Sequence, residues 1–226
     1  MIRYVRVAAV LMMIAPGAAI SEAQTPNPPS QTTSNEPKMF ADFNVAATLG
    51  HKSDAAIGGE WGIEVIRNID VFAEFGHMGN VATSDFDARA KLIADAIGAT
   101  VGTTAQKVTF FDAGVRYRFS PYGLWRPYAL FGVGVAHVSN EAAFSQNGSD
   151  ITGSLPDLGV QLGADLSGSL NKAIIIVGGG VNYVFSGRYF ADLSYRYGGI
   201  LPKTGTIEND VAIHTQRVQV GIGIRF

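Results

Sequence analysis

The chain has 226 residues, a formal net charge of −2, 47% hydrophobic residues and only 16% charged residues. Soluble domains carry about a quarter charged residues, so the chain is charge-poor, and it has no basic field to recruit nucleic acid. It contains no cysteine, which excludes a disulfide framework, a thiolate zinc site and a lipid-anchoring N-terminal cysteine.

Arg3 and Arg6 precede an apolar run from Val7 to Ala15, which Pro16 and Gly17 interrupt; Ser21-Glu22-Ala23 then offers the small residues a signal peptidase reads. This pattern predicts a cleaved export signal over residues 1–23. The run is shorter than the roughly 18 apolar residues a membrane-spanning helix needs. Residues 24–38, QTPNPPSQTTSNEPK, have almost nothing to bury and are expected to form a disordered or extended periplasmic linker.

From Phe40 onward the sequence alternates with a period of two. Phe43, Val45, Ala47 and Leu49 oppose Asp42, Asn44 and Thr48. Next, Trp61, Ile63 and Val65 oppose Glu60, Gly62 and Glu64, and Val71, Ala73 and Phe75 oppose Glu74 and Gly76. Further on, Phe111, Ala113, Val115, Tyr117 and Phe119 oppose Asp112, Gly114, Arg116 and Arg118. The segments Pro127 to Val138 and Lys172 to Phe185 are apolar on both faces but keep Gly132, Gly134, Gly178 and Gly180 on one side. Near the end, Ala191, Leu193, Tyr195 and Tyr197 oppose Asp192, Ser194 and Arg196. The last strand sets Val218, Val220, Ile222, Ile224 and Phe226 against Arg217, Gln219, Gly221, Gly223 and Arg225.

The connections alternate in length. Residues 67–69, 121–126 and 186–187 are tight links, whereas 80–106, 139–171 and 201–210 are long; residues 51–55 are a short exception. The expected fold is therefore all-β, an eight-stranded antiparallel up-and-down transmembrane β-barrel over residues 39–226. Alternation also suits a soluble barrel with its apolar face inward. Three features favour the membrane. The polar face carries glycine and charges of both signs. The apolar face gathers Tyr117, Phe119, Tyr183, Phe185, Tyr189 and Phe226 at the short-turn end. Closure also satisfies every strand edge. The reading requires apolar side chains facing outward, with ions and glycines along the axis.

The alternating final strand VQVGIGIRF with its terminal Phe, and the segment RPYALFGVGVAHV, resemble small outer-membrane barrels of the OmpA/OmpX type and the broader outer membrane protein β-barrel domain group. The resemblance spans roughly Phe40 to Phe226. It implies an integral, porin-like protein of the Gram-negative cell envelope, located in the outer membrane and acting structurally or through extracellular loops. It implies contact with outer-membrane lipids, including lipopolysaccharide, and an unknown surface ligand. It also implies that Val218, Val220, Ile222, Ile224 and Phe226 form the signal read by the barrel-assembly machinery.

The largest polar constellation comprises Asp42, Glu60, Glu64, Glu74, Asp112, Arg116, Arg118, Asp192, Arg196, Arg217 and Arg225. Buried charges must be paired, so these residues are expected to form a charge network filling the lumen; a narrow pore for small solutes is the alternative. His137-Val138-Ser139-Asn140 resembles the His-x-Ser-Asn segment of outer-membrane lipid A deacylases, in which the His is general base and the Ser nucleophile. Here no Asn-Pro-Gly-like segment follows. Glu141 is too close to supply the family's acid, and Asp150 could do so only by substitution. A non-enzymatic role is expected, with hydrolysis through His137 and Ser139 as an alternative.

Asp85 to Ala99 places Phe86, Ala90, Ile93, Ala94 and Ile97 on one helical face, as for a short helix over the barrel mouth. The histidines His51, His77, His137 and His214 lack ligand spacing, and the glycines of VGGGV and FGVGV lack the Lys-Ser/Thr ending of a phosphate loop. No metal or cofactor is expected.

Overall fold

A computed structural model describes residues 38–202 and 211–226. The expected signal peptide, the linker apart from Lys38, and residues 203–210 of the last long loop lie outside the described residues.

The described residues form nine strands: β1 (Met39–Leu49), β2 (Ala55–Ile66), β3 (Ile69–Met78), β4 (Thr100–Arg118), β5 (Trp125–Gln146), the two-residue β6 (Ser149–Asp150), β7 (Gly168–Ser186), β8 (Tyr189–Ile200) and β9 (Ile213–Arg225). Apart from β6, each pairs antiparallel with both neighbours, and β1 on β9 closes the ring. β6 only folds back on the end of β5. Tight turns use the residues that tolerate positive φ: Asn68 (φ 67°) between β2 and β3, and Asn147-Gly148 (φ 51° and 81°) between β5 and β6.

The register fixes the shape. A path along paired residues runs Met39, Ile63, Val71, Val115, Phe131, Val177, Tyr197, Gln216 and returns to β1 at Leu49, ten residues from its start. Ten residues at about 3.3 Å, against eight strands about 4.8 Å apart, give a strand tilt of about 40°. Such a cylinder is only wide enough for side chains.

The outward face is apolar all round. Phe75 is 61% exposed, Val135 60% and Ile222 59%, values a soluble protein would not tolerate in a continuous band. On β5 the band runs from Pro127 to His137, about 25 Å along the barrel axis at that tilt, the height of an outer-membrane hydrocarbon layer. Its lower margin is an aromatic girdle in which Trp125 packs on Tyr183 (centroids 4.8 Å), Tyr117 on Phe119 (5.1 Å) and Phe185 on Tyr189 (6.4 Å). Its upper margin is polar: His77 bonds Thr109 at 2.9 Å and His137 bonds Asn171 at 2.7 Å.

The interior differs from an axis of ions and glycines alone. Phe40, Phe72, Phe110, Tyr128 and Phe190 also point inward and are buried, with Leu130, Ile174, Ile176 and Ile200. Glycines on adjacent strands make room for the rings: a methyl at Gly62, Gly76 or Gly223 would collide with Phe40, Phe110 or Phe190. The outward band therefore decides for the membrane, because both faces hold apolar groups. At Gly76 the added carbon would lie 2.5 Å from the Phe110 ring and 3.0 Å from the Ile57 carbonyl oxygen. Gly76→Ala is expected to cost about 1–3 kcal/mol through overpacking, read from the urea unfolding midpoint.

Two of the three long connections are shorter than expected, because β4, β5 and β7 continue above the membrane. Residues 100–106 and 139–146, expected as loop, belong to an extension of the barrel wall in which β4 and β5 pair. Above it sit helix α1 (Ser84–Ala96) and a 3₁₀ helix (Thr152–Leu158).

Candidate functional site

Two sites stand out, a charged layer in the lumen and a cap over its outer mouth. The charged layer follows from register. Asp42 faces Glu60, Glu60 faces Glu74 and Glu74 faces Asp112, so four carboxylates stand side by side on β1 to β4. Like charges directly opposed on a sheet repel. The compensation comes from across the barrel, where Arg196 and Arg217 face each other on β8 and β9.

Arg196 bridges Glu60 and Glu74, donating through Nη2 and Nη1 at 2.5 Å each. Arg217 donates to both oxygens of Glu74 at 3.2 and 3.4 Å. Arg116 pairs with the remaining oxygen of Glu60. Gln219 links Asn44 (3.1 Å) and Glu74 (3.3 Å). Glu60, Glu74, Arg116, Arg196 and Arg217 are at most 3% exposed. The inward aromatics complete the arrangement: the Arg116 guanidinium lies 4.1 Å from the Tyr128 ring centre and 4.4 Å from that of Phe40, and Arg217 lies 4.4 Å from Phe110. Guanidinium stacks on aromatic faces, which is why rings and ions share this lumen. Neither carboxylate oxygen of Asp112 has a hydrogen-bond partner among the described residues.

Nearer the periplasm, Asp192 accepts from Tyr128 (2.7 Å) and Asn182 (2.6 Å), and Asn182 accepts from Arg225 (3.0 Å). Arg118 lies 2.7 Å from Glu64 and 3.1 Å from Asp70. Its Nε and Nη2 are poorly aligned for hydrogen bonds, so these contacts are ionic rather than directional. Sequence reasoning named eleven charged lumen residues and set Gln219 on the same polar face, but missed Asp70, Tyr128 and Asn182. Asp70 was legible from its spacing to Glu74; Tyr128 and Asn182 stand on strands whose pattern is apolar on both faces.

The cap has a core of its own. Phe86, Ala90 and Ala94 of α1 pack with Ala82, Ala142, Phe144, Leu155 and Leu166, flanked by Ile93, Ile97 and Val101. Thr83 caps α1 by accepting from the Phe86 N–H at 3.2 Å, and the Thr83 N–H donates to Gln106. Asp87 ties α1 to the rim, bonding His51 Nε2 at 2.8 Å and Thr104 Oγ1 at 2.5 Å, with Lys52 at 3.4 Å. Burial pushes the Asp87 carboxyl up, but the Thr104 and His51 hydrogen bonds and the Lys52 charge outweigh it and hold it below the usual carboxylate range. A lowered value means this tie is complete above the ordinary carboxylate range and is lost as pH falls through the lowered one. Arg89 crosses to Asp165 at 3.3 Å.

His137 and Ser139 share the outward face of β5, beside the polar upper margin of the lipid band. The His137 ring bonds an amide, Asn171, where a catalytic dyad would need a carboxylate, and Asp150 is occupied by the Thr152 N–H at 2.8 Å. Among the described residues no group of three or more His, Cys, Asp or Glu could hold a metal ion. The histidines are engaged separately, with Asp87, Thr109, Asn171 and Tyr197. Val218, Val220 and Ile222 are exposed on the outward face of β9, the strand that closes the ring, and Phe226 is exposed just beyond its end.

Comparison with known proteins agrees with this geometry. Residues 7–226 match the family described as outer membrane protein beta-barrel domain. Among solved structures, Neisserial surface protein A is 16% identical with a TM-score of 0.51, over 83% of this chain and 96% of that one. The outer membrane protein OprG from Pseudomonas aeruginosa is 10% identical with a TM-score of 0.50, over 84% and 97%. At these identities the likeness is one of fold. No curated protein sequence matches the chain. With a closed eight-stranded ring, a lipid-facing band and a family match over nearly its whole length, the chain belongs to the outer membrane protein β-barrel domain family and resides in the bacterial outer membrane.

Proposed function

We propose that the protein is a closed barrel whose working surface is its outer cap, a surface-interaction role with the barrel as membrane anchor. The observation that carries this reading is the fully buried layer of Glu60, Glu74, Arg116, Arg196 and Arg217, which fills the lumen under a cap with a separate apolar core. Ion pairs this buried hold fixed positions, because breaking one leaves an uncompensated charge. A surface role also fits the name of Neisserial surface protein A, whose fold this chain shares. On this reading the lipid-facing band contacts outer-membrane lipids, including lipopolysaccharide, and the barrel-assembly machinery reads β9 through its outward apolar row. Lipid A hydrolysis through His137 and Ser139 draws no support from the Asn171 contact.

Conductance in planar bilayers tests the closed lumen. The wild-type protein is expected to give no stable channels, whereas Arg116→Ala and Arg217→Ala give small flickering ones. Steady large pores from the wild type would refute the closed reading.

A further inference from the structure

The charges of the barrel are divided by side. On the outer side Asp54, Asp85, Asp95, Glu141, Asp150 and Asp157 are exposed. Among the described residues the exposed lysines there are paired: Lys91 with Asp95 at 3.3 Å and Lys107 with Glu141 at 3.6 Å. At the periplasmic rim the pattern reverses. Lys38, Arg67 and Arg188 are exposed, and Arg126 is half-buried at the foot of β5. Among the described residues the acids at this level, Glu64 and Asp70, turn into the lumen and are taken by Arg118. Arg126 faces inward instead, opposite the buried Asn182, and its Nε is buried.

The exposed cations lie just beyond the aromatic girdle of Tyr117, Trp125, Tyr183 and Tyr189, the level at which lipid headgroups meet hydrocarbon. They stand at the start of β1, in the β2–β3 turn and in the β7–β8 turn. We propose that this rim selects anionic phospholipid headgroups of the periplasmic leaflet, with Arg67 and Arg188 as phosphate-binding residues and the girdle aromatics packing on the adjoining chains. Guanidinium donates in a planar fork that matches a phosphate, and the low-dielectric girdle beside it strengthens the attraction. The rim continues the lipid-facing band, so an acyl chain on the band brings its headgroup to the arginines.

Arg67 and Arg188 can be replaced without disturbing the fold. Their turns are set by backbone at Asn68 (φ 67°) and Gly187 (φ 57°), and both arginine side chains project into solvent. The test compares wild type with Arg67→Gln/Arg188→Gln in nanodiscs of phosphatidylcholine containing about one-fifth phosphatidylglycerol. Lipid retained on the protein is read by native mass spectrometry. Each cation near an anionic surface contributes enough that two predict about a thirtyfold preference for phosphatidylglycerol, lost in the variant and weakened by salt. Equal retention of the two lipids by the wild type would overturn the proposal. So would an undiminished preference in the variant, or saturable binding of inorganic phosphate to the rim in neutral detergent at the affinity shown for the lipid.

Discussion

Arg196→Ala is expected to lower the free energy of unfolding by about 3–5 kcal/mol, the cost of removing one partner from a buried ion-pair layer. Two carboxylates lose their bridge at once, since Arg196 donates to both Glu60 and Glu74 at 2.5 Å. Those two stand directly opposite each other on β2 and β3, so the loss also restores their mutual repulsion. Arg217→Ala should cost less, because its bonds reach only Glu74 and are longer, at 3.2 and 3.4 Å. Arg196→Lys should recover little, because a single ammonium cannot present the fork that spans both acids. Urea unfolding in vesicles, followed through Trp61 and Trp125, measures all three. A triple replacement of Glu74, Arg196 and Arg217 by methionine should be markedly milder than Glu74→Ala, because it leaves Glu60 with its Arg116 partner, whereas Glu74→Ala leaves the buried Arg217 without its carboxylate. If the triple replacement is as damaging as Glu74→Ala, the ion pairs are not what stabilises this layer.

The outward face was legible in the sequence because a strand must place alternate residues on opposite sides. Val218, Val220, Ile222 and Phe226 are as exposed as their spacing requires. The membership of the lumen set was legible for the same reason, but its geometry was not. Register decides that Asp42, Glu60, Glu74 and Asp112 form one row, and pairs such as Glu74 with Asp112 are separated by a helix and two loops in the chain. The inward aromatics were obscured by their neighbours: Phe110 precedes the outward Phe111, and the pair reads as a single apolar step. Their place depends on glycines of adjacent strands, again a matter of register. The extensions of β4 and β5 above the membrane were read as loop because residues 100–106 and 139–146 are rich in Thr, Ser and Ala. Pairing with each other satisfies their backbone there, without help from the apolar pattern.

Phe86→Ala is expected to open the cap while the barrel stays folded. Phe86 is fully buried, and it packs with Ala90 and Ala94 one and two turns further along α1 against Phe144, Leu155 and Leu166. Truncating a buried phenylalanine costs about 3–5 kcal/mol, and the small alanines around it cannot close the cavity. A thirteen-residue helix is marginal in water by itself, so α1 depends on this contact and on the Thr83 cap. The barrel does not: its interior cluster around Phe72, Phe110 and Ile176 shares no residue with the cap cluster, and its strands are joined by backbone bonds round the whole ring. The variant should therefore show faster hydrogen exchange and protease cleavage within residues 84–96, with the heat-modifiable gel shift unchanged. Acidification through the lowered range of Asp87 should loosen the same segment in the wild type, because it releases the tie to His51, Thr104 and Lys52. If Phe86→Ala instead weakens barrel and cap together, the cap is part of the barrel's folding unit rather than a surface mounted on it. If only the cap yields, the variant isolates the outer surface from the anchor, and any ligand it loses is a ligand of the cap.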